Sequence, residues 1–257
     1  MTKRIVIKKT AKPFGEFGKL AVQYDTFRPS YPKKAISFIY NTIGVKQPDI
    51  LDLGCGTGIS TRQLAKNKGL IVGYDADKQM LKVALQQNQN QSNISYRNGR
   101  AEKLPFENNS FDGVTAFIAF HWFMNKKAIN EIKRVLKSHG ALCIVQPRFA
   151  LFQKDFRIIL EKELHLKILK NYKISKEIMP FLIENGFRAK KKIFESDTKY
   201  TLSEYLSLLK SYSLWNYVPV NRQKEIEELL KRHFKAKLRN GYIRNIRYVE
   251  VIIAVRD

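Results

Sequence analysis

The stretch Asp49-Ile-Leu-Asp-Leu-Gly-Cys-Gly-Thr-Gly-Ile-Ser-Thr61 decides how this chain folds. Ile50, Leu51 and Leu53 read as a short buried strand. Gly54, Gly56 and Gly58 then free the backbone for a tight turn that no Cβ obstructs, and Ser60 to Ala65 reads as a helix. Strand, glycine turn and helix in succession bring unpaired amide N–H groups and the positive end of a helix dipole to the ligand side of the turn. A second apolar run, Leu70-Ile-Val-Gly-Tyr-Asp75, ends in a carboxylate. At the carboxyl end of a neighbouring strand, such an acid accepts hydrogen bonds from the two hydroxyls of a ribose.

Downstream of the turn, strands and helices alternate. Leu70 to Tyr74 reads as a strand, Asp77 (as N-cap) to Asn88 as a helix, and Ile94 to Arg97 and Gly113 to Phe117 as strands. Lys126 to Lys137 reads as a helix, with Gly140 closing it before the strand Ala141 to Gln146. This spacing means βαβ units and a parallel sheet, whose ligands bind beyond the carboxyl ends of the strands where strand order reverses. Upstream, Gln23 to Pro32 is a turn-rich lead-in, and Lys34 to Thr42 is an amphipathic helix. Residues 148 to 190 read as mostly helical with Gly186 as a C-cap, and Lys192 to Glu195 as a sixth strand. Thr201-Leu-Ser-Glu204 is a capping box that opens a helix, Asn221 to Phe234 is another helix, and Tyr248 to Val255 is the last strand.

Composition narrows the function classes. No apolar run in the 257 residues approaches the roughly 18 needed to cross a bilayer. Ile5 to Ile7 is too short for a signal-peptide core, so the cytoplasm is the expected location and no membrane partner is expected. The two cysteines, Cys55 and Cys143, support neither a disulfide framework nor a metal site. The formal charge of +24, from 47 Lys plus Arg against 23 Asp plus Glu, is the one anomaly. It divides almost evenly between the two halves of the chain, which favours a solvated basic surface over a nucleic-acid footprint. Its densest clusters are Arg188 to Lys192 and Lys231 to Arg239.

The turn is spaced Gly-x-Gly-x-Gly with Asp52 two residues ahead, which departs from the Gly-x-Gly-x-x-Gly of dinucleotide-binding folds. Together with Asp75-Ala-Asp-Lys-Gln-Met80, Gly99-Arg-Ala-Glu-Lys-Leu-Pro-Phe106 and Ser110-Phe-Asp-Gly-Val-Thr-Ala116, it resembles the class I S-adenosylmethionine-dependent methyltransferases over about residues 20 to 146. The resemblance implies a Rossmann-like, doubly wound α/β sheet of about seven strands, mostly parallel with the last strand antiparallel, plus a helical cap. Residues 1–147 would hold the lead-in and cofactor core. Residues 148–257 would hold the cap, the substrate region and the final strands within the same domain.

The same resemblance assigns S-adenosyl-L-methionine as cofactor and allots residues to it. Gly54, Cys55, Gly56, Thr57 and Gly58 would approach the methionine part, Asp52 its amino group directly or through water, and Asp75 with Ala76 the ribose. Ala101 and Glu102 would border the adenine, Met80 would either cover it or pack in the core, and Phe117 is a further expected cofactor contact. Tyr24 and Arg28, in a Tyr/Arg-Pro-x-Tyr-Pro segment, would lie near the methionine end. Ala119-Phe-His-Trp-Phe123 looks like a signature of the trans-aconitate methyltransferase-like subgroup, which esterifies small carboxylates. It makes Phe120, His121 and Trp122 expected pocket residues, with His121 orienting a carboxylate, acting as base or simply shaping the pocket. Tyr200 and Tyr205 are expected substrate contacts from the C-terminal part.

The expected partner is a small-molecule acceptor, with a carboxylate oxygen as the methylated atom. Methylation of an acyl group on an acidic carrier protein, or of RNA, would give the basic surface a purpose. A cofactor-binding regulatory protein is the non-enzymatic alternative, because a fold does not fix a function.

Overall fold

Ile50, Leu51, Asp52 and Leu53 are all buried, as a strand covered on both faces must be, and this strand lies near the middle of a seven-stranded sheet. The computed structural model describes residues 5–7, 21–67, 69–88, 91–148, 151–168, 173–212 and 214–256. In chain order the first elements are β1 (Ile5–Ile7), α1 (Ala21–Phe27), α2 (Lys33–Ile43), β2 (Ile50–Leu53), α3 (Ile59–Leu64), β3 (Ile71–Asp75) and α4 (Lys78–Gln87). Next come β4 (Ile94–Asn98), β5 (Phe111–Phe117), α5 (Lys126–Val135), β6 (Leu136–Arg148), α6 (Leu151–Glu163) and β7 (Leu166–Ile168). The chain closes with α7 (Lys173–Glu184), β8 (Phe187–Tyr200), α8 (Leu202–Lys210), α9 (Gln223–Lys235) and β9 (Ile243–Arg256).

The main sheet has the order β4-β3-β2-β5-β6-β9-β8. The first five strands run parallel, and β9 is antiparallel to both of its neighbours. β2 therefore has β3 on one side and β5 on the other, which makes the gap beyond their carboxyl ends the switch point where ligands bind in such sheets. β1 and β7 pair separately as a two-stranded parallel ribbon.

Helices cover both faces. Ile36, Ile39 and Ile43 of α2 pack with Ile50, Val251 and Ile253 on one face, while Ile129 and Ile132 of α5 pack with Leu51, Leu53 and Ile144 on the other. Each such side chain contributes roughly 1.5–3 kcal/mol on burial. α7 joins this second layer through Ile178 and Leu182. α7 serves as the crossover between β6 and β8. The cap consists of α6, α8 and α9, whose Phe156, Leu160, Tyr205, Leu209, Leu230 and Phe234 form their own buried cluster. β6 and β8 lead into the cap and β9 starts from it, which places the cap at the carboxyl edge of the parallel strands.

The capping box at Thr201 and Glu204 is present, Asp77 caps α4, and Gly186 follows α7 with φ +72°. Gly140 does not close a helix. α5 ends at Val135, and Gly140 lies within β6, where the pairing jumps from Leu136 to Ala141 while β5 advances only from Phe111 to Gly113. β8 extends over Phe187–Tyr200 rather than the four residues expected, and it is one of the sheet's two outer strands. Arg188, Lys190, Lys191 and Lys192 are exposed along it, a charge arrangement that keeps an open edge from pairing with another chain. Among the described residues no helix is long and apolar enough to cross a membrane.

Candidate active site

The turn between β2 and α3 is built from three left-handed glycines, with φ of +69° at Gly54, +56° at Gly56 and +80° at Gly58. Space demands glycine as strictly as conformation does at Gly54, where a Cβ would stand 2.4 Å from the Cβ of Ala119, just past β5. At Gly56 a Cβ would approach Met80 Cε to 3.1 Å. The turn continues the β2–β3 pairing, since the Gly54 N–H donates to the Tyr74 carbonyl at 2.7 Å.

Side chains alternate along β2, so Leu51 and Leu53 enter one layer and Asp52 the other. Asp52 is fully buried. Its Oδ2 accepts from Ser60 Oγ and Thr61 Oγ1, each at 2.7 Å, and its Oδ1 accepts from Thr115 Oγ1 at 2.8 Å. Burial pushes its carboxyl up to about 6 even though three hydroxyls stabilise the ionised form. The carboxylate has no exposed surface and fastens α3 and β5 beneath the turn. Cys55 also turns inward, where burial raises its thiol well above the ordinary value.

Asp75, at the end of β3, is half-buried. Its Oδ2 accepts from the Gly56 N–H and its Oδ1 from the Asp77 N–H, both at 2.8 Å. Burial raises its carboxyl while these two N–H bonds oppose the rise. Next to it, Ala76 is half-buried and its carbonyl accepts from Asn98 Nδ2 at 3.1 Å. The Thr57 hydroxyl and Asp77 Oδ2 are buried without a hydrogen-bond partner among the described residues. Unsatisfied polar atoms beside a turn that excludes Cβ atoms fit a polar ligand.

α1 lies across this site. Tyr24 packs with Ala21, Met80 and Val83. Asp25 pairs with Arg62 at 2.6 Å, and Arg62 donates to the Thr57 carbonyl at 2.6 Å, which latches α1 to the turn. The Arg28 guanidinium sits 4.6 Å from the Tyr24 ring centre and 4.0 Å from that of Tyr212 in the cap, and it donates to the Ser211 carbonyl at 3.1 Å. After β4, Ala101 is buried in the core. Glu102 accepts from Asn125 Nδ2 at 3.1 Å and lies 3.6 Å from Arg100.

β5 ends in Phe117, whose ring is 4.6 Å from that of Tyr31. Ile118 follows with φ +55°, a left-handed conformation that costs a β-branched residue ~1–2 kcal/mol. Its N–H donates to the Val145 carbonyl at 2.8 Å, which holds the chain in that strained bend. His121 and Trp122 lie beyond it with ring centres 4.9 Å apart, and Trp122 packs against the core beneath.

Three other expected pocket residues, Phe120, Tyr200 and Tyr205, are buried in the packing. Phe120 is fully buried between Phe123 and Phe181, because the short helical turn Phe120–Trp122 rotates it toward α7. Tyr205 is inside the cap core against Phe234, on the buried face of α8, and Tyr200 belongs to the same cluster. The positions that sequence reasoning passed over include Tyr31, held through backbone hydrogen bonds to Gln63, and Tyr96, which lies over Gly58 and Gly73. Gly73 and Tyr96 face each other in the β3–β4 register, a pairing that no local pattern reveals.

A family described as a methyltransferase domain matches residues 51–144. An uncharacterized methyltransferase of Schizosaccharomyces pombe is 30% identical over 218 residues, which cover 81% of this chain and 84% of that protein. Among solved structures, one described as a type II methyltransferase from Anaeromyxobacter dehalogenans has a TM-score of 0.70 at 18% identity, covering 90% of this chain and 98% of its own. The YcgJ protein of Bacillus subtilis has a TM-score of 0.55 at 22% identity, covering 88% of this chain and all of its own. At such identities the two structures speak for the fold alone.

Proposed function

The chain belongs to the class I S-adenosylmethionine-dependent methyltransferases, and from that premise we propose that it methylates an oxygen of a small carboxylic acid held between the end of β5 and the cap. The observation that carries this reading is the direct packing of the glycine turn on Ala119, which leaves no room for a Cβ at Gly54. It makes the turn contiguous with the strained loop that bears His121 and Trp122.

When bound, S-adenosylmethionine supplies an electrophilic methyl group on sulfur. The chain's own residues have three tasks. The backbone of Gly54, Gly56 and Gly58 admits the methionine part, Asp75 with Ala76 takes the ribose hydroxyls, and Met80, Ala101 and Glu102 border the adenine. Tyr24 and Arg28 close over the methionine end, and the latch from Asp25 through Arg62 to Thr57 holds them there. Asp52 contributes by keeping the turn's shape rather than by contact.

On the acceptor side, Trp122 walls the pocket and His121 orients the carboxylate. An ionised carboxylate is already a nucleophile, so alignment and exclusion of water by the cap are the main requirements, and no strong base is needed. Incubation with methyl-labelled donor and separate acids, amines, RNA and acyl carrier protein tests the reading. Label in alkali-labile esters of small acids is the expected result, and label only in RNA or carrier protein would overturn it.

A further inference from the structure

One face of the β8–β9 ribbon enters the core at Phe194 and Val249 and becomes polar toward the cap. There Ser196 pairs with Arg247 and Thr198 with Asn245, and residues two apart share a face, so these side chains stand together. Asn245 is 1% exposed, yet neither its amide nitrogen nor its amide oxygen has a partner among the described residues. Arg247 spends a single nitrogen, Nη2, on the Ser30 carbonyl at 3.2 Å and the Ser196 hydroxyl at 3.3 Å. Its Nε is buried without a partner, and no carboxylate among the described residues pairs with it.

A buried amide and a guanidinium left in this state cost folding energy unless something else satisfies them. Their place is also telling. Tyr200 and Ile243, farther along the same ribbon, belong to the cap cluster, so the patch lies where cap and sheet meet. Ser30, which Arg247 grips, precedes Tyr31, whose ring lies against Phe117 at the end of β5. The patch therefore borders the segment that packs on the end of β5, where the proposed acceptor would be methylated.

We propose that Arg247 and Asn245 form an anchoring subsite for the acceptor. Arg247 takes an oxyanion of the acceptor, Asn245 takes a neighbouring hydrogen-bonding group, and a second group of the same molecule is presented at the end of β5. A planar guanidinium fork matches a carboxylate or phosphate, and a site that must satisfy a buried amide discriminates strongly against analogues lacking the matching group. The acceptor class is then a small acid with two polar ends, one anchored and one methylated. This subsite rests on the small-acid reading above.

Calorimetry on the full chain saturated with S-adenosylhomocysteine tests it, with glutarate, glycerol phosphate and the neutral diamide of glutarate as probes. The wild type is expected to bind at least one of the two anions and not the diamide, and the anion that binds identifies carboxylate or phosphate as the anchored group. Arg247→Lys and Asn245→Leu should each weaken that binding tenfold or more while S-adenosylhomocysteine affinity stays within twofold. Asn245→Leu should not lower the melting temperature, since it removes unsatisfied atoms at similar volume. Unchanged anion affinity in both variants, or no anion binding by the wild type, overturns the subsite. A methyl group found on nitrogen or carbon of a bound acid would instead strike the oxygen-methylation reading and leave the subsite standing.

Discussion

Replacing Gly54 by alanine tests the contact between the glycine turn and the acceptor loop. The new Cβ would sit 2.4 Å from the Cβ of Ala119, against the ~3.5–4.0 Å at which two carbons rest comfortably. Relieving that overlap by moving either loop costs ~1–3 kcal/mol, as overpacking elsewhere does. The backbone at φ +69° adds ~1–2 kcal/mol for any residue with a Cβ, so the single variant should lose ~2–5 kcal/mol in urea unfolding. Ala119→Gly removes the atom that would be struck. In that background Gly54→Ala should cost only its backbone component, giving a favourable coupling of ~1–3 kcal/mol between the two positions. A coupling indistinguishable from zero would mean that the turn and the loop after β5 do not touch, and the joint site built on that contact would go with it.

Further outcomes follow from the same geometry. Asp52, raised to about 6 from an ordinary 3.8, binds its proton more tightly folded than unfolded, so its contribution to stability is lost as pH rises through that window. Relative to Asp52→Asn, the wild type should therefore lose roughly 2 kcal/mol between pH 4 and pH 7, and a pH-independent difference in urea stability would refute the assignment. Asp75→Ala should weaken S-adenosylhomocysteine binding by ~1–3 kcal/mol in calorimetry, and an unchanged affinity in a folded variant would remove Asp75 from the site. His121→Ala should lower turnover more than cofactor affinity. Methyl transfer to small acids should survive high salt, because a reaction steered by surface lysines weakens once screening shortens below roughly 8 Å. A steep fall in turnover with salt would favour a macromolecular acceptor.

Much of this was legible in the residues because the informative features are local. The glycine spacing, Asp75 at a strand end, Asp77 as a cap and the box at Thr201 depend on neighbours a few positions away, and each is found where its pattern implies. What stayed hidden depends on contacts distant in sequence. The role of Asp52 as a tie between elements is hidden because Thr115, 63 residues later, supplies its third hydroxyl. Phe120 and Tyr205 read as pocket walls because aromatic residues suit both pockets and cores, and only the packing of α7 and α9 decides between them. β8 was foreshortened because exposed lysines on a sheet edge erase the apolar alternation that marks a strand. Arg247 and Asn245 carry no motif, and their significance emerges from the cross-strand register and their unsatisfied atoms.

The most direct test of the account is a crystal structure of the full chain with S-adenosylhomocysteine and glutarate bound together. The ribose should lie on Asp75, the thioether sulfur between the Gly54 turn and the loop carrying His121, one glutarate carboxylate on Arg247 and the other facing the sulfur. Cofactor density away from the carboxyl ends of β2 and β5, or glutarate bound outside the junction of cap and sheet, would contradict it.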